Sequence, residues 1–287
     1  MSYLVRIFAK NNNPPFTNTN SGSAAHSTIK TMPNNINELM EALNETQQQS
    51  EKTPLSQSFL LGFDTETTGA ILGEDSICSA TLVLRNPQNK THNDVIATWL
   101  INPHKPINPK ASQVNGFTDE FLQENGGEPT AEIEALAAAV SLAQSKNIPL
   151  LAYNAPFDVE MLRHDLKKWD LTSLNNRPNS TINDGEILVV DPLVIDRAVS
   201  KRTGKRTLTH TTQFYGVEPI GDFHDATADT VAAVDLIKPI SELHEDVANL
   251  ELCDLMTWQR KAYAKWKNSF DEWLKSKGKP ASSGNWL

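Results

Sequence analysis

The chain has 287 residues, 39% of them hydrophobic, with a formal net charge of −9 and only two cysteines. That length allows one large domain or two small ones with a sizeable core. Cys78 and Cys253 lie far apart, with no CxxC or His-rich spacing around them, which argues against a disulfide framework or a zinc site and fits a reducing, cytoplasmic setting.

In chain order, the opening MSYLVRIFAK is broken by Arg6 and followed by Asn and Pro, a poor match to a secretory signal. Residues 1–37 lack Asp and Glu and are rich in Asn, Ser and Thr, a weak likeness to an organellar transit segment with few basic residues. Residues 1–57 read as a mostly disordered polar arm with one short helical candidate, NINELMEALNETQQQ. Order is expected from residue 58. FLLGFD, ICSATLVLR and VIATWLI read as three strands joined by polar loops, an antiparallel meander. TAEIEALAAAVSLAQSKN has helical spacing, PLLAYN is a short buried strand, PFDVEMLRHDLKKW is a helix, ILVVD is another buried strand, and ATADTVAAVDLIKPI is a helix. Strands joined through helices should be parallel, so the fold class is α/β with a mixed sheet over residues 58–246. Residues 247–287 read as a basic, aromatic C-terminal helix and tail packed on that domain, with Trp258, Trp266, Phe270 and Trp273 at roughly helical spacing. No apolar run reaches ~18 residues, so no membrane span or membrane partner is expected.

Charge is unevenly spread. Residues 197–209 hold five basic and no acidic side chains, and residues 258–280 hold seven basic against Asp271 and Glu272. Such runs are commonly solvated faces, and only a neighbouring active site would turn them toward a polyanion.

Three short segments carry candidate chemistry. In FDTETTG, alternate strand residues share a face, so Asp64 and Glu66 project together about 6–7 Å apart, where a divalent cation would relieve their repulsion. In YNAPFD, a strand stops at Asn154 and Asp158 falls in the first turn of the next helix, a position that helix dipole energetics alone would explain. In HDATAD, His224 precedes a helix and Asp229 sits one turn in. Taken singly, each segment has an ordinary structural explanation.

Taken in order, FDTETTG, YNAPFD and HDATAD resemble the three motifs of the DnaQ-like DEDDh 3′–5′ exonuclease family, which includes stand-alone bacterial exonucleases and the proofreading subunit of the bacterial replicative polymerase. The resemblance covers roughly residues 58–245 and extends to INPHKPINPKASQVNGFTDEFL, VVDPLVIDRAV and GKRTLTHTTQFYGV; the tail GNWL is a weaker match, and the arm has no counterpart. It implies a ribonuclease H-like fold, two Mg²⁺ or Mn²⁺ ions, and release of nucleoside monophosphates from nucleic-acid 3′ ends. Asp64 would bridge the ions, Glu66 and Asp229 would complete the first, Asp158 would hold the second, and His224 would be the general base. The substrate contacts implied are Thr65, Thr67, Asn115, Phe117, Asn154, Lys205 and Arg206, with Lys201 and Arg202 beside them. The family commonly has His where Asn115 stands, a departure that bears on substrate contacts and not on the carboxylates. Phe117 could stack on a base or pack beside Phe121. Single-stranded DNA is the expected partner, with RNA as the alternative and a DNA polymerase as a further partner in the proofreading version; a non-enzymatic nucleic-acid binder of this fold is the third hypothesis.

Overall fold

The computed structural model describes residues 35–88, 93–218 and 226–287. Three strands form the expected meander. β1 (Leu60–Thr67) pairs antiparallel with β2 (Ile77–Arg85), which pairs antiparallel with β3 (Val95–Leu100). The chain then passes through α-helical segments to β4 (Leu150–Leu151), parallel to β1, and on to β5 (Val189–Val190), parallel to β4, giving the order β3-β2-β1-β4-β5. β1 is buried along its whole length because it is the central strand, with a neighbour on each edge and helices on both faces.

The helices follow local chemistry. α1 is Ile36–Glu45, α2 is Pro109–Asn115 and α3 is Asp119–Asn125; α4 is Pro129–Ser145 and α5 is Pro156–Lys168. The side chains of Asn108 and Thr118 accept backbone N–H groups at the entrances of α2 and α3, and Pro stands in the first turn of α2, α4 and α5, where its missing N–H costs nothing. α6 (Pro192–Val199) is capped by Asp191, and α7 (Leu208–Tyr215) is capped by Thr207 and closed by Gly216 in the left-handed conformation that glycine adopts freely. These two short helices fall in segments whose periodicity is too brief to announce them. α8 (Ala226–Asp235) and α9 (Ile237–Leu243) divide the single helix expected over that stretch, and α10 (Glu245–Ala248) leads into α11 (Leu252–Ser276).

The arm expectation needs correction. Residues 35–57 are folded onto the domain: Leu39, Leu43 and Leu55 are buried, Leu55 N–H donates to Leu250 O, and Leu252 N–H donates to Thr53 O. Within this polar stretch Leu39 and Leu43 lie on one apolar stripe of α1 that faces β3 and α4, and Leu55 packs separately beside α9 and α10. Residues 1–34 lie outside the described residues. No described helix is long and apolar enough to cross a membrane.

At the far edge, β5 would expose unpaired backbone, and α11 covers it. Val189 N–H donates to Met256 Sδ, Gln259 Nε2 donates to Val189 O at 2.7 Å, and Asp191 N–H donates to Gln259 Oε1 at 2.8 Å. The Gln259 amide thus takes the place of a sixth strand.

Candidate active site

The three parallel strands end at one edge of the sheet, the edge where open α/β sheets gather their ligands. There β1 offers the carboxylates of Asp64 and Glu66 on one face, both largely buried. Gly62 lies on that same face, and α8 rests on it so closely that a Cβ there would stand 2.6 Å from Val234 Cγ2 and 2.8 Å from Thr230 Cγ2. Only glycine lets the helix approach this far. Asp229, in the first turn of α8 and adjacent to Thr230, is thereby held on the face of β1 that carries Asp64 and Glu66.

Asp158 arrives from the opposite side of the strand. Leu61 N–H donates to Pro149 O, so the N–H groups of odd-numbered β1 residues point toward β4. β4 stops at Leu151, and Thr65 N–H, further along that edge, is taken instead by Asp158 Oδ1 at 3.0 Å, with the Thr65 hydroxyl donating to the same oxygen at 2.7 Å. A carboxylate from the first turn of α5 has replaced a strand, and it sits beside the residue between Asp64 and Glu66.

A β-bulge shapes the end of this strand. Glu66 pairs with Ser79 and Thr67 with Ile77, leaving Cys78 as the extra residue on β2. Burial and the charge of Glu66 push the Cys78 thiol far above its ordinary value, so it stays protonated and offers no thiolate to the site.

The loop that delivers α5 is organised by Asp191, which sequence reasoning missed as a site element. Asn154, in the left-handed region at φ 68°, donates its N–H to Asp191 Oδ1 at 3.1 Å, and Ala155 N–H donates to Asp191 Oδ2 at 3.1 Å. Leu193 N–H and the indole Nε1–H of Trp286 complete the set, at 3.0 and 3.1 Å. Burial raises the Asp191 carboxyl, and these hydrogen bonds oppose the shift. The sequence signal available was Asp followed by Pro at a helix entrance.

The remaining expected contacts divide. Thr65 is buried and spends its N–H and hydroxyl on Asp158. Thr67 donates its hydroxyl to Gly69 O and accepts Asn115 Nδ2 on its carbonyl at 3.3 Å, so Asn115 braces the end of β1; its Oδ1 also receives Phe117 N–H. Phe117 is half-buried and stacked on Phe121, with ring centroids 5.9 Å apart. Lys201 and Lys205 are exposed. Arg206 and Arg202 both bind the buried Asp196, Arg202 at 2.7 Å, and Tyr215 donates its hydroxyl to the same carboxylate. Burial pushes Asp196 up, and hydrogen bonds from Arg202, Ser200 and Arg206 outweigh it, leaving the carboxyl below its usual value. These two arginines are therefore tied into the protein's own ion cluster. His224 lies outside the described residues.

A mixed five-stranded sheet flanked by helices, with carboxylates gathered where the central strand ends, is the ribonuclease H-like arrangement of a nuclease. The RNase_T exonuclease family model matches residues 61–237, and the chain belongs to that family, as a DnaQ-like exonuclease. A DNA polymerase III subunit epsilon-like protein of Rhodobacter capsulatus is 28% identical over 186 residues, 64% of this chain and 24% of that protein. Among solved structures, exonuclease I of Methylocaldum szegediense superposes with a TM-score of 0.53 at 19% identity, over 74% of this chain and 45% of that one. The zinc-bound complex of E. coli exonuclease I with single-stranded DNA gives 0.52 at 20% identity, over 67% and 42%. The chain thus spans about a quarter of the relative's length and less than half of either structure.

Proposed function

We propose that this exonuclease is metal-dependent and removes nucleoside monophosphates from the 3′ ends of nucleic acid, with single-stranded DNA as its first substrate. The observation that carries the reading is the pair of hydrogen bonds from Thr65 to Asp158, which ties a carboxylate of α5 to the strand bearing Asp64 and Glu66. The donor set fits Mg²⁺ or Mn²⁺, since it offers carboxylate oxygens and the nearby thiol is protonated. Asp64 would bridge two cations, Glu66 and Asp229 would complete the first, and Asp158 would hold the second. When bound, such ions activate water and offset charge on the leaving 3′ oxygen.

The chain's own residues supply the rest. Thr65 fixes the orientation of Asp158, Gly62 sets the distance of α8 and hence of Asp229, and Asn115 braces the Thr67 carbonyl where the terminal nucleotide would lie. His224 would take the proton from the attacking water, as an imidazole titrating near neutrality does well. The single-stranded DNA complex of the fold neighbour supports the choice of substrate.

A 5′-labelled single-stranded oligonucleotide tests the reading. With Mg²⁺ it should shorten stepwise to a ladder of products, and with chelator or in Asp64→Ala it should stay intact. Release of the labelled 5′ nucleotide as the first product, or cleavage that persists in chelator, would refute it.

A further inference from the structure

The function proposed above leaves the second half of α11 unused. Leu252, Leu255, Met256 and Gln259 are its buried residues; Ala262 and Tyr263 still pack against the core, and residues 266–276 extend about 16 Å further. Its direction is set by β5. Met256 meets Val189 and Gln259 reaches Asp191, so the helix runs alongside β5 in the same sense and emerges at the carboxyl edge of the sheet, where Asp64 and Asp158 lie.

The core-facing stripe does not end with the core. It continues as Tyr263, Trp266, Phe270 and Trp273, with successive ring centroids 5.4, 5.2 and 5.7 Å apart and the last two pairs nearly parallel, at 13° and 20°. Trp273 is 50% exposed. At the inner end, the Arg197 guanidinium lies 3.7 Å above the Trp266 ring, which joins this helix to α6 and to the basic connection that follows it. The packing of α6 on α11 therefore brings together the two basic stretches that stand about sixty residues apart in the sequence.

The charges left over are positive. Lys267 is taken by Asp271 and Arg260 by Glu186. Lys261, Lys265, Lys275, Lys277 and Lys279 are in no ion pair among the described residues, nor are Lys201 and Lys205 of the α6–α7 connection, and Glu272 is the one acid of residues 258–280 outside an ion pair. In a chain of net charge −9, a row of half-buried aromatic rings that ends in the exposed Trp273 and is edged by lysines is a local exception. The inner rings stack on one another and Arg197 covers Trp266, so the open stacking surface lies at the outer end, at Trp273; such a surface flanked by cations suits unpaired bases and their phosphates without regard to sequence.

We infer that the overhanging half of α11 is a stacking track for single-stranded nucleic acid, holding the strand upstream of the 3′ end that is being cleaved. This rests on the exonuclease reading for its direction, though not for its measurement. The track makes affinity depend on strand length, because only a strand long enough to reach from the site to Phe270 and Trp273 uses it.

The test compares Kd for a fluorescein-labelled thymidine 20-mer and a thymidine trimer by anisotropy in chelator, so that cleavage plays no part. Wild type should bind the longer strand far more tightly. Phe270→Ala/Trp273→Ala should weaken 20-mer binding about tenfold or more and narrow the gap between the two lengths. Lys277→Glu/Lys279→Glu, which alters only exposed side chains, should lower the slope of log K against log salt by about 1 to 2. An unchanged gap and slope in these variants, with circular dichroism matching wild type, would overturn the inference and assign the aromatic face to a protein partner. No length dependence in wild type would overturn it too. If the 20-mer binds by this pattern yet is not shortened when Mg²⁺ is added, the exonuclease reading fails and the track stands.

Discussion

Thr65 gives Asp158 two hydrogen bonds, from its amide at 3.0 Å and from its hydroxyl at 2.7 Å, and both end on the same oxygen, Oδ1. One residue of the central strand thus orients a carboxylate that arrives from a helix 93 positions later in the sequence. Thr65→Val keeps the β-branched shape and the amide bond and removes the hydroxyl. Steady-state cleavage of a single-stranded oligonucleotide should show kcat lowered roughly tenfold, on the scale of one lost hydrogen bond to a charged group, with Tm lowered by only a few degrees. Full activity in this variant would show that Asp158 needs no such support.

Gly62 controls a different approach. Its missing Cβ leaves space for Val234 and Thr230, whose branched side chains have no flexible end to move aside. Gly62→Ala should push α8 outward, cost about 1–3 kcal/mol in denaturant unfolding and reduce activity by shifting Asp229 relative to Asp64. Val234→Ala in the same chain should restore part of both, because it removes the nearest clashing atom.

Trp286 ties the C-terminal tail to Asp191. Its indole N–H is one of four donors to the buried Asp191 carboxylate, and two of the others come from Asn154 and Ala155, directly ahead of α5. Trp286→Phe should destabilise the protein by about 2 kcal/mol, since a buried charged acceptor loses a donor. Thermal unfolding checks this, and an unchanged Tm would mean that the tail is not held by that bond.

Asp196 sets a pH dependence. Its folded carboxyl lies below the ordinary value of 3.8, so the folded state holds the charged form more strongly than the unfolded chain does. The stability it contributes is present above that ordinary value and is lost as pH falls through the lower folded value. Asp196→Asn should therefore unfold more readily than wild type at pH 7, by about 3–5 kcal/mol for a broken buried ion cluster, and the difference should shrink in urea titrations below pH 4.

Much of this was legible in the sequence because the informative residues are local. The long strands over 77–85 and 95–100 and the helices beginning at 129 and 156 follow from apolar periodicity and proline placement. The carboxylates of β1 stand out because two acids end a buried apolar run. What was hidden depends on distance in the chain. Nothing near Gln259 reveals that its amide will close the edge of β5, and nothing near Trp286 reveals a partner 95 residues earlier. Arg202 and Arg206 read as a phosphate-binding run, and only the packing of α6 and α7 shows Asp196 between them. The packing of residues 35–57 is hidden because Leu39 and Leu43 of the expected helix become a core stripe only when β3 and α4 receive them, and Leu55 finds its place only beside α9 and α10.

The central claim is that Asp64, Glu66, Asp158 and Asp229, drawn from three separate segments, act as one cation site. Mn²⁺ titration followed by electron paramagnetic resonance measures this directly, without reference to substrate. Wild type should bind two ions per chain, and Asp64→Ala, at the position proposed to bridge them, should lose both high-affinity ions while keeping its fold by circular dichroism. Equal Mn²⁺ binding by wild type and by alanine variants at all four positions would contradict the account.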